Sequence, residues 1–266
     1  MSVERISSVF TKDREDPVMA LFITAGYPEP SVTPDLLLAL EESGADIIEL
    51  GMPFSDPLAD GPTIQYSSEV AIEAGTDLDK IFGMVEEVRK SSQIPIVLMG
   101  YINPILHYGI DDFFKAASKS GVDGFILPDV PVEESTLIEE YCRKYEMALI
   151  YLVAPNTSDA RMKLIDSKSQ GFVYCVSVTG VTGARDGDQV ATSVQRFIDR
   201  VKQNVVQNPV LVGFGIKSHE DAKRISAGLN GFVVGSALID TIRKHYPNSD
   251  WLDQTKAFVR DIKFGK

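Results

Sequence analysis

Gly44-Ala45-Asp46-Ile47-Ile48-Glu49-Leu50-Gly51 is a helix stop followed by a short apolar run, and the same order returns twice. It recurs as Gly121-Val122-Asp123-Gly124-Phe125-Ile126 and as Gly228-Leu229-Asn230-Gly231-Phe232-Val233. The leading glycine of each supplies the left-handed backbone that ends a helix and turns the chain into the next strand. Working outward, apolar runs fall at residues 18–24, 45–50, 94–99, 124–128, 148–152, 172–177, 210–214 and 231–235. They are rich in Ile, Val, Leu and Phe, and most lack the alternation of a half-exposed strand. Near-continuous apolar strands are what a parallel sheet covered by helices requires.

Amphipathic stretches fill the gaps. Residues 34–43 read as a helix with Thr33 as N-cap, Pro34 at the first helical position and a stop at Gly44. Residues 111–120 stop at Gly121, and 133–145 follow Pro131. Ser218 and Asp221 resemble a capping box opening a helix to Ala227. The first 16 residues read as a short amphipathic helix with Ile6, Val9 and Phe10 on one face. The expected architecture is α/β: a single (β/α)8 TIM-barrel catalytic domain over residues 1–266. It carries an extra N-terminal helix and a short extra helix after the eighth strand, over 237–243. The chain's 266 residues match the roughly 250 typical of such a barrel. An open doubly wound sheet has similar content and is the structural rival.

Composition narrows the function. The formal net charge is −12, and no Lys/Arg cluster offers a nucleic acid a basic face. No stretch approaches the roughly 20 apolar residues of a membrane span. The N-terminus lacks the layout of a secretory signal. Cys142 and Cys175 make neither a Cys-x-x-Cys pair nor a disulfide framework, which fits a reducing, cytoplasmic setting. His107, His219 and His245 share no metal-ligand spacing, so no metal is expected.

Two segments break the rhythm: the Pro/Gly/Asp stretch 51–62 after the second strand and the Gly/Thr stretch 178–189 after the sixth. Both follow strand C-termini, the face where barrel active sites sit. Glu49 stands at the end of an apolar strand, where a carboxylate needs a partner or a raised pKa. A buried salt bridge is the plain reading, but its place at the strand's C-terminal end favours acid–base chemistry. Asp60 lies in Pro53-Phe54-Ser55-Asp56-Pro57-Leu58-Ala59-Asp60-Gly61-Pro62. Loop aspartates often just hydrogen-bond their own turn, which suits Asp56 better. Two carboxylates in different settings can divide acid and base roles. Gly180, Gly183, Gly213, Gly215 and Gly235-Ser236 gather at three neighbouring strand ends. With a helix opening behind Gly235-Ser236, they point to a phosphate cradle. Gly213-Phe214-Gly215 lacks the third glycine of a dinucleotide fingerprint. Lys217 could in principle form a Schiff base, but Ser218, His219 and Glu220 beside it read as surface.

Together these residues resemble the tryptophan synthase alpha chain family over essentially the whole chain. The most specific segments are Glu49-Leu50-Gly51-Met52-Pro53-Phe54-Ser55-Asp56-Pro57 with Ala59-Asp60-Gly61-Pro62, and Asp129-Val130-Pro131 with Glu133-Glu134. Gly180-Val181-Thr182-Gly183, Gly213-Phe214-Gly215-Ile216 and Gly235-Ser236 complete the set. The resemblance implies a carbon–carbon lyase that cleaves indole-3-glycerol phosphate to indole and glyceraldehyde 3-phosphate. By the same resemblance Asp60 pairs with the indole N–H, and Glu49 handles protons at indole C3 and the glycerol hydroxyl. Phe22, Met99 and Tyr174 match the indole pocket, with Phe214 in the same substrate-binding set. Thr182 matches a loop threonine that closes over the site, and Gly183, Gly215, Gly235 and Ser236 match the phosphate cradle. The resemblance implies no cofactor in this chain. It implies a beta chain that binds pyridoxal phosphate and takes indole through a tunnel, in an α2β2 heterotetramer. Residues 53–58 are then a contact surface, with Phe54 as an exposed apolar anchor. Val178-Thr179 lack the basic residue some members carry there; Arg185 follows the motif instead. An indole-glycerol-phosphate synthase or ribulose-phosphate epimerase needs a strand lysine or metal-binding histidines, and no run above contains either.

Overall fold

The computed structural model describes residues 2–11, 14, 16–176, 187–213 and 215–265. Each apolar run supplies a strand of one parallel sheet: β1 (Val18–Thr24), β2 (Ile47–Gly51), β3 (Ile96–Met99), β4 (Gly124–Ile126), β5 (Ala148–Ile150), β6 (Leu152–Val153), β7 (Val173–Val176), β8 (Val210–Gly213) and β9 (Gly231–Val234). The strand order is β5-β4-β3-β2-β1-β9-β8-β7-β6. Its two ends, β5 and β6, are separated in sequence by Tyr151 alone. β5 pairs with β4 and β6 pairs with β7, while the Tyr151 carbonyl accepts the Tyr174 N–H at 3.0 Å. The ladder therefore closes on itself as eight barrel strands, the fifth interrupted at Tyr151. That closure excludes the open doubly wound sheet.

Side chains along each strand alternate between the barrel interior and the surrounding helices. Val18 and Ala20 of β1, Ile47 of β2 and Val97 of β3 fill the lower interior with Leu211 and Val233. The N-terminal helix α1 (Ser2–Ser8) closes this floor. Ile6 is fully buried in it, and Val9 and Phe10, just past the helix end, pack on it too. The Phe10 ring lies 6.2 Å from that of Phe172.

Polar side chains at the strand starts pin the barrel in pairs. Asp46 Oδ2 accepts the Met19 N–H at 2.8 Å, Asp123 Oδ2 the Ile96 N–H at 2.8 Å, and Asn230 Oδ1 the Val210 N–H at 2.9 Å. Ser169 Oγ takes the Tyr151 N–H at 3.0 Å. This explains the third position of the Gly-x-Asp repeat: the carboxylate of one strand fixes the start of the strand before it. It also delays β2 to Ile47, because Asp46 belongs to the turn. Gly44, Gly121 and Gly228 hold φ of +111°, +93° and +72°, the backbone the repeat anticipates. The buried Asp123 pairs with Arg5 Nε at 2.6 Å and Arg89 Nη2 at 2.8 Å. Asp46 pairs with Arg14 and Lys263. Asn230 is neutral and needs no cation.

The helices follow the expected pattern with shifted ends. α2 (Thr33–Glu42) includes Thr33 in its first turn instead of using it as a cap. The Thr33 hydroxyl is occupied elsewhere, accepting the Gly26 N–H at 3.1 Å and donating to Glu29 O at 3.2 Å. α3 (Pro62–Glu73) and α4 (Leu78–Arg89) both lie between β2 and β3, and α5 (Ile102–Tyr108) and α6 (Ile110–Ser120) follow β3. α7 (Thr136–Lys144) starts three residues later than residue 133, after a turn. α8 (Asp159–Lys168) precedes β7. α9 (Gly187–Asn204) takes residues 187–189 out of the loop read from sequence. α10 (His219–Ile225) is shorter than expected. Ser218 caps it by accepting the Asp221 N–H at 3.1 Å. The box stays half-made, because Asp221 takes the Lys217 N–H and Arg224 instead. α11 (Ser236–His245) is longer than residues 237–243, and α12 (Trp251–Phe264) closes the chain. Among the described residues no helix is long and apolar enough to cross a membrane.

Candidate active site

Ile47 points into the barrel, so Glu49, two residues on, points there as well. It stands in register with Phe22 of β1 and Val97 of β3. Its side chain is fully buried. Neither carboxyl oxygen has a hydrogen-bond partner among the described residues. The salt bridge that sequence alone left open is absent there. Loss of water with nothing to replace it pushes the Glu49 carboxyl up to about 8.

Asp60 sits where the loop after β2 turns into α3. Its N–H reaches Pro57 O at 3.0 Å, and its carbonyl accepts Gln65 Nε2 at 2.9 Å. Gly61 then takes the N-cap position and Pro62 opens the helix. The Asp60 carboxylate accepts the Tyr101 hydroxyl at 3.1 Å, and the same hydroxyl accepts the Ala59 N–H at 2.9 Å. Burial raises the Asp60 pKa, and the Tyr101 hydrogen bond opposes that rise. Asp56 is exposed and accepts the neighbouring Ser55 hydroxyl, as a turn residue does.

Between Asp60 and α11 lies a cavity of about 270 Å3. Phe22, Met99, Tyr174 and Ile64 form its apolar wall, with Asp60 lining it from the loop after β2 and Gly215, Gly235 and Ser236 from the chain after β8 and β9. Glu49 does not reach the cavity surface; it is sealed beneath this aromatic layer. Two glycines make room for the aromatics. A Cβ on Gly51 would lie 2.6 Å from Phe22 Cζ, and one on Gly213 would lie 2.6 Å from the Tyr174 hydroxyl. Gly213 therefore serves the wall, not only the cradle suggested by its sequence.

After β8, Gly215 holds φ +60° with open space where a side chain would project. Gly235 occupies the N-cap of α11. The first-turn N–H groups of a helix have no intrahelical acceptor, and with the helix dipole they favour an anion. Thr182, Gly183 and Phe214 lie outside the described residues, as do Gly180 and Arg185. Met1 is likewise outside them.

Tyr101 was not singled out from the sequence. Its signal was available: an aromatic with a polar tip, two residues beyond the end of β3 on the C-terminal face. Lys217 and Glu220 are exposed as expected, whereas Ser218 and His219 are half-buried, and Lys217 also lines the cavity. Among the described residues no group of His, Cys, Asp and Glu could hold a metal ion.

Residues 10–264 match the sequence model described as Tryptophan synthase alpha chain. The chain belongs to that family. A tryptophan synthase alpha chain of Thermoanaerobacter sp. (strain X514) is 48% identical over 242 residues, covering 91% of each chain. That of Geobacter sulfurreducens is 46% identical over 239 residues, 89% of each. Tryptophan synthase subunit alpha from Legionella pneumophila superposes with a TM-score of 0.86 at 35% identity, covering 98% of this chain and 97% of the other. Membership makes this chain a lyase of tryptophan biosynthesis, the subunit that cleaves indole-3-glycerol phosphate, and implies a beta-chain partner. Of the two carboxylates described above, Glu49 is fully buried and Asp60 lines the cavity.

Proposed function

We propose that residues 1–266 work as one catalytic barrel in which Glu49 and Asp60 divide the cleavage of indole-3-glycerol phosphate. The observation that carries this reading is the sealed, unpartnered Glu49 carboxyl with its pKa near 8. At neutral pH most of it is protonated, so once the Phe22 and Tyr174 side chains shift to admit the ring it can give its proton to indole C3. The resulting cation spreads to the ring nitrogen, where the Asp60 carboxylate accepts the N–H and offsets the charge. Glu49, now a carboxylate in an apolar setting, takes the proton from the glycerol hydroxyl next to the ring. The C–O bond becomes a carbonyl, the bond to indole C3 breaks, and its electron pair restores the aromatic ring. One proton enters and one leaves through the same carboxyl, so Glu49 is regenerated and no redox partner is needed.

Phe22, Met99 and Tyr174 hold the indole, and Gly215, Gly235 and Ser236 hold the phosphate. By the family resemblance Thr182, Gly183 and Phe214 belong to the same substrate-binding set. The chain itself uses no cofactor; the beta chain binds pyridoxal phosphate and receives indole in a cytoplasmic α2β2 assembly. Phe54 is half-buried against Tyr101, ring centroids 5.2 Å apart, so the exposed apolar anchor of the loop is Leu58, 96% exposed. The test is indole release with the beta chain present. Glu49→Gln and Asp60→Asn should each lose at least about two orders of magnitude. Near wild-type turnover in either variant removes that residue from the mechanism.

A further inference from the structure

We propose that Lys217 is the counter-ion for the substrate phosphate and sets the direction in which substrate enters. The inference rests on reading the cavity as the indole-3-glycerol phosphate site. The chain carries a net charge of −12, so a phosphorylated substrate approaches against the overall field. Among the described residues lining the cavity, the charged ones are Asp60, on the loop after β2, and Lys217, on the loop after β8. Lys217 lies two residues beyond Gly215 and lines the cavity with Ser236 and Ala237 at the start of α11. Among the described residues Glu220, three residues on, forms no ion pair with it, and the next carboxylate, Asp221, is already engaged. Asp221 takes Arg224 Nη2 at 2.7 Å through one oxygen and the Lys217 backbone N–H at 3.3 Å through the other. Among the described residues the Lys217 ammonium forms no ion pair.

Backbone donors fix the geometry of a bound phosphate but carry no net charge. The ammonium adds a full charge whose influence extends about a Debye length, roughly 10 Å at 0.1 M salt. The two charges also orient the ligand. Indole N–H toward Asp60 and phosphate toward Lys217 is attractive at both ends, while the reverse places phosphate against a carboxylate.

The experiment compares the full-length wild type, Lys217→Met and Lys217→Arg, measuring KM and kcat for indole-3-glycerol phosphate at low and high salt. Lys217→Met should raise KM about 3- to 10-fold at low salt, with the loss falling on KM and not on kcat. It should also flatten the dependence of kcat/KM on salt, and Lys217→Arg should restore both. Unchanged KM with an unchanged salt slope overturns the proposal. So does a loss confined to kcat, which would give Lys217 a different role. Calorimetric titration with inorganic phosphate separates the two layers of the argument. If the wild type releases no indole, the substrate reading fails, and weaker phosphate binding by Lys217→Met still decides the counter-ion role.

Discussion

Replacing Glu49 by Gln removes a titration that the folded barrel opposes. The carboxyl moves from 4.5 to about 8 on folding, and each pKa unit corresponds to 1.36 kcal/mol. The full effect is therefore about 5 kcal/mol in favour of the neutral form. Because the folded pKa lies above the unfolded one, the contribution is complete below pH 4.5 and is lost as pH rises through about 8. Between roughly pH 5.5 and 8 the wild type should lose about 3 kcal/mol that the Gln variant keeps. Gln is close in size and neutral throughout, so packing is nearly constant. Urea unfolding of both proteins at half-unit pH steps gives the difference curve directly. It should rise with pH, the variant gaining on the wild type by about 1.4 kcal/mol per unit, and level off above about 8. Parallel curves would show that Glu49 titrates normally and would refute the claim that burial without a partner controls it. The same variant should release indole far more slowly, so stability and activity move in opposite directions, as expected where a site is held in an unfavourable state for function.

Tyr101→Phe removes the hydroxyl that Asp60 accepts, so the Asp60 pKa should rise further and the acidic limb of kcat/KM should move to higher pH. An unmoved limb would remove Tyr101 from the control of Asp60. Gly213→Ala places a Cβ 2.6 Å from the Tyr174 hydroxyl. KM should rise several-fold as the aromatic wall shifts, and a crystal structure of the variant with Tyr174 unmoved would contradict this. Asp123→Ala leaves Arg5 and Arg89 without their shared carboxylate and the Ile96 N–H without its acceptor. A loss of about 3–5 kcal/mol in unfolding free energy is expected, with kcat per folded molecule little changed, since Asp123 lies at the opposite end of the barrel from the site.

The strands were legible because a sheet covered on both faces must be apolar along its length, and these runs are. Their starts were not, because whether Asp46 or Asp123 belongs to strand or turn depends on which N–H its carboxylate meets, 27 residues away in each case. Thr33 misled for a similar reason: its hydroxyl had a better acceptor and donor in the loop after β1 than at a helix end. Glu49 stood out as a charge in an apolar strand, and Asp60 as an acid in a proline-stiffened loop. Tyr101 was hidden because its partner lies 41 residues away. Gly213 looked like a cradle glycine because sequence shows that a side chain is missing, not which neighbour occupies its space.

The pins at the strand starts join the barrel strands two by two: β1 with β2, β3 with β4, the interrupted fifth strand with β7, and β8 with β9. None of these four pins crosses from the first four strands to the last four. A chain divided between β4 and β5, within 127–147, would leave two pins in each fragment. A division inside any pair would separate a pin's donor from its acceptor. The barrel is thus a ring of four two-stranded modules, with its natural seam at the midpoint, and complementation by separately expressed halves should succeed there before it succeeds anywhere else.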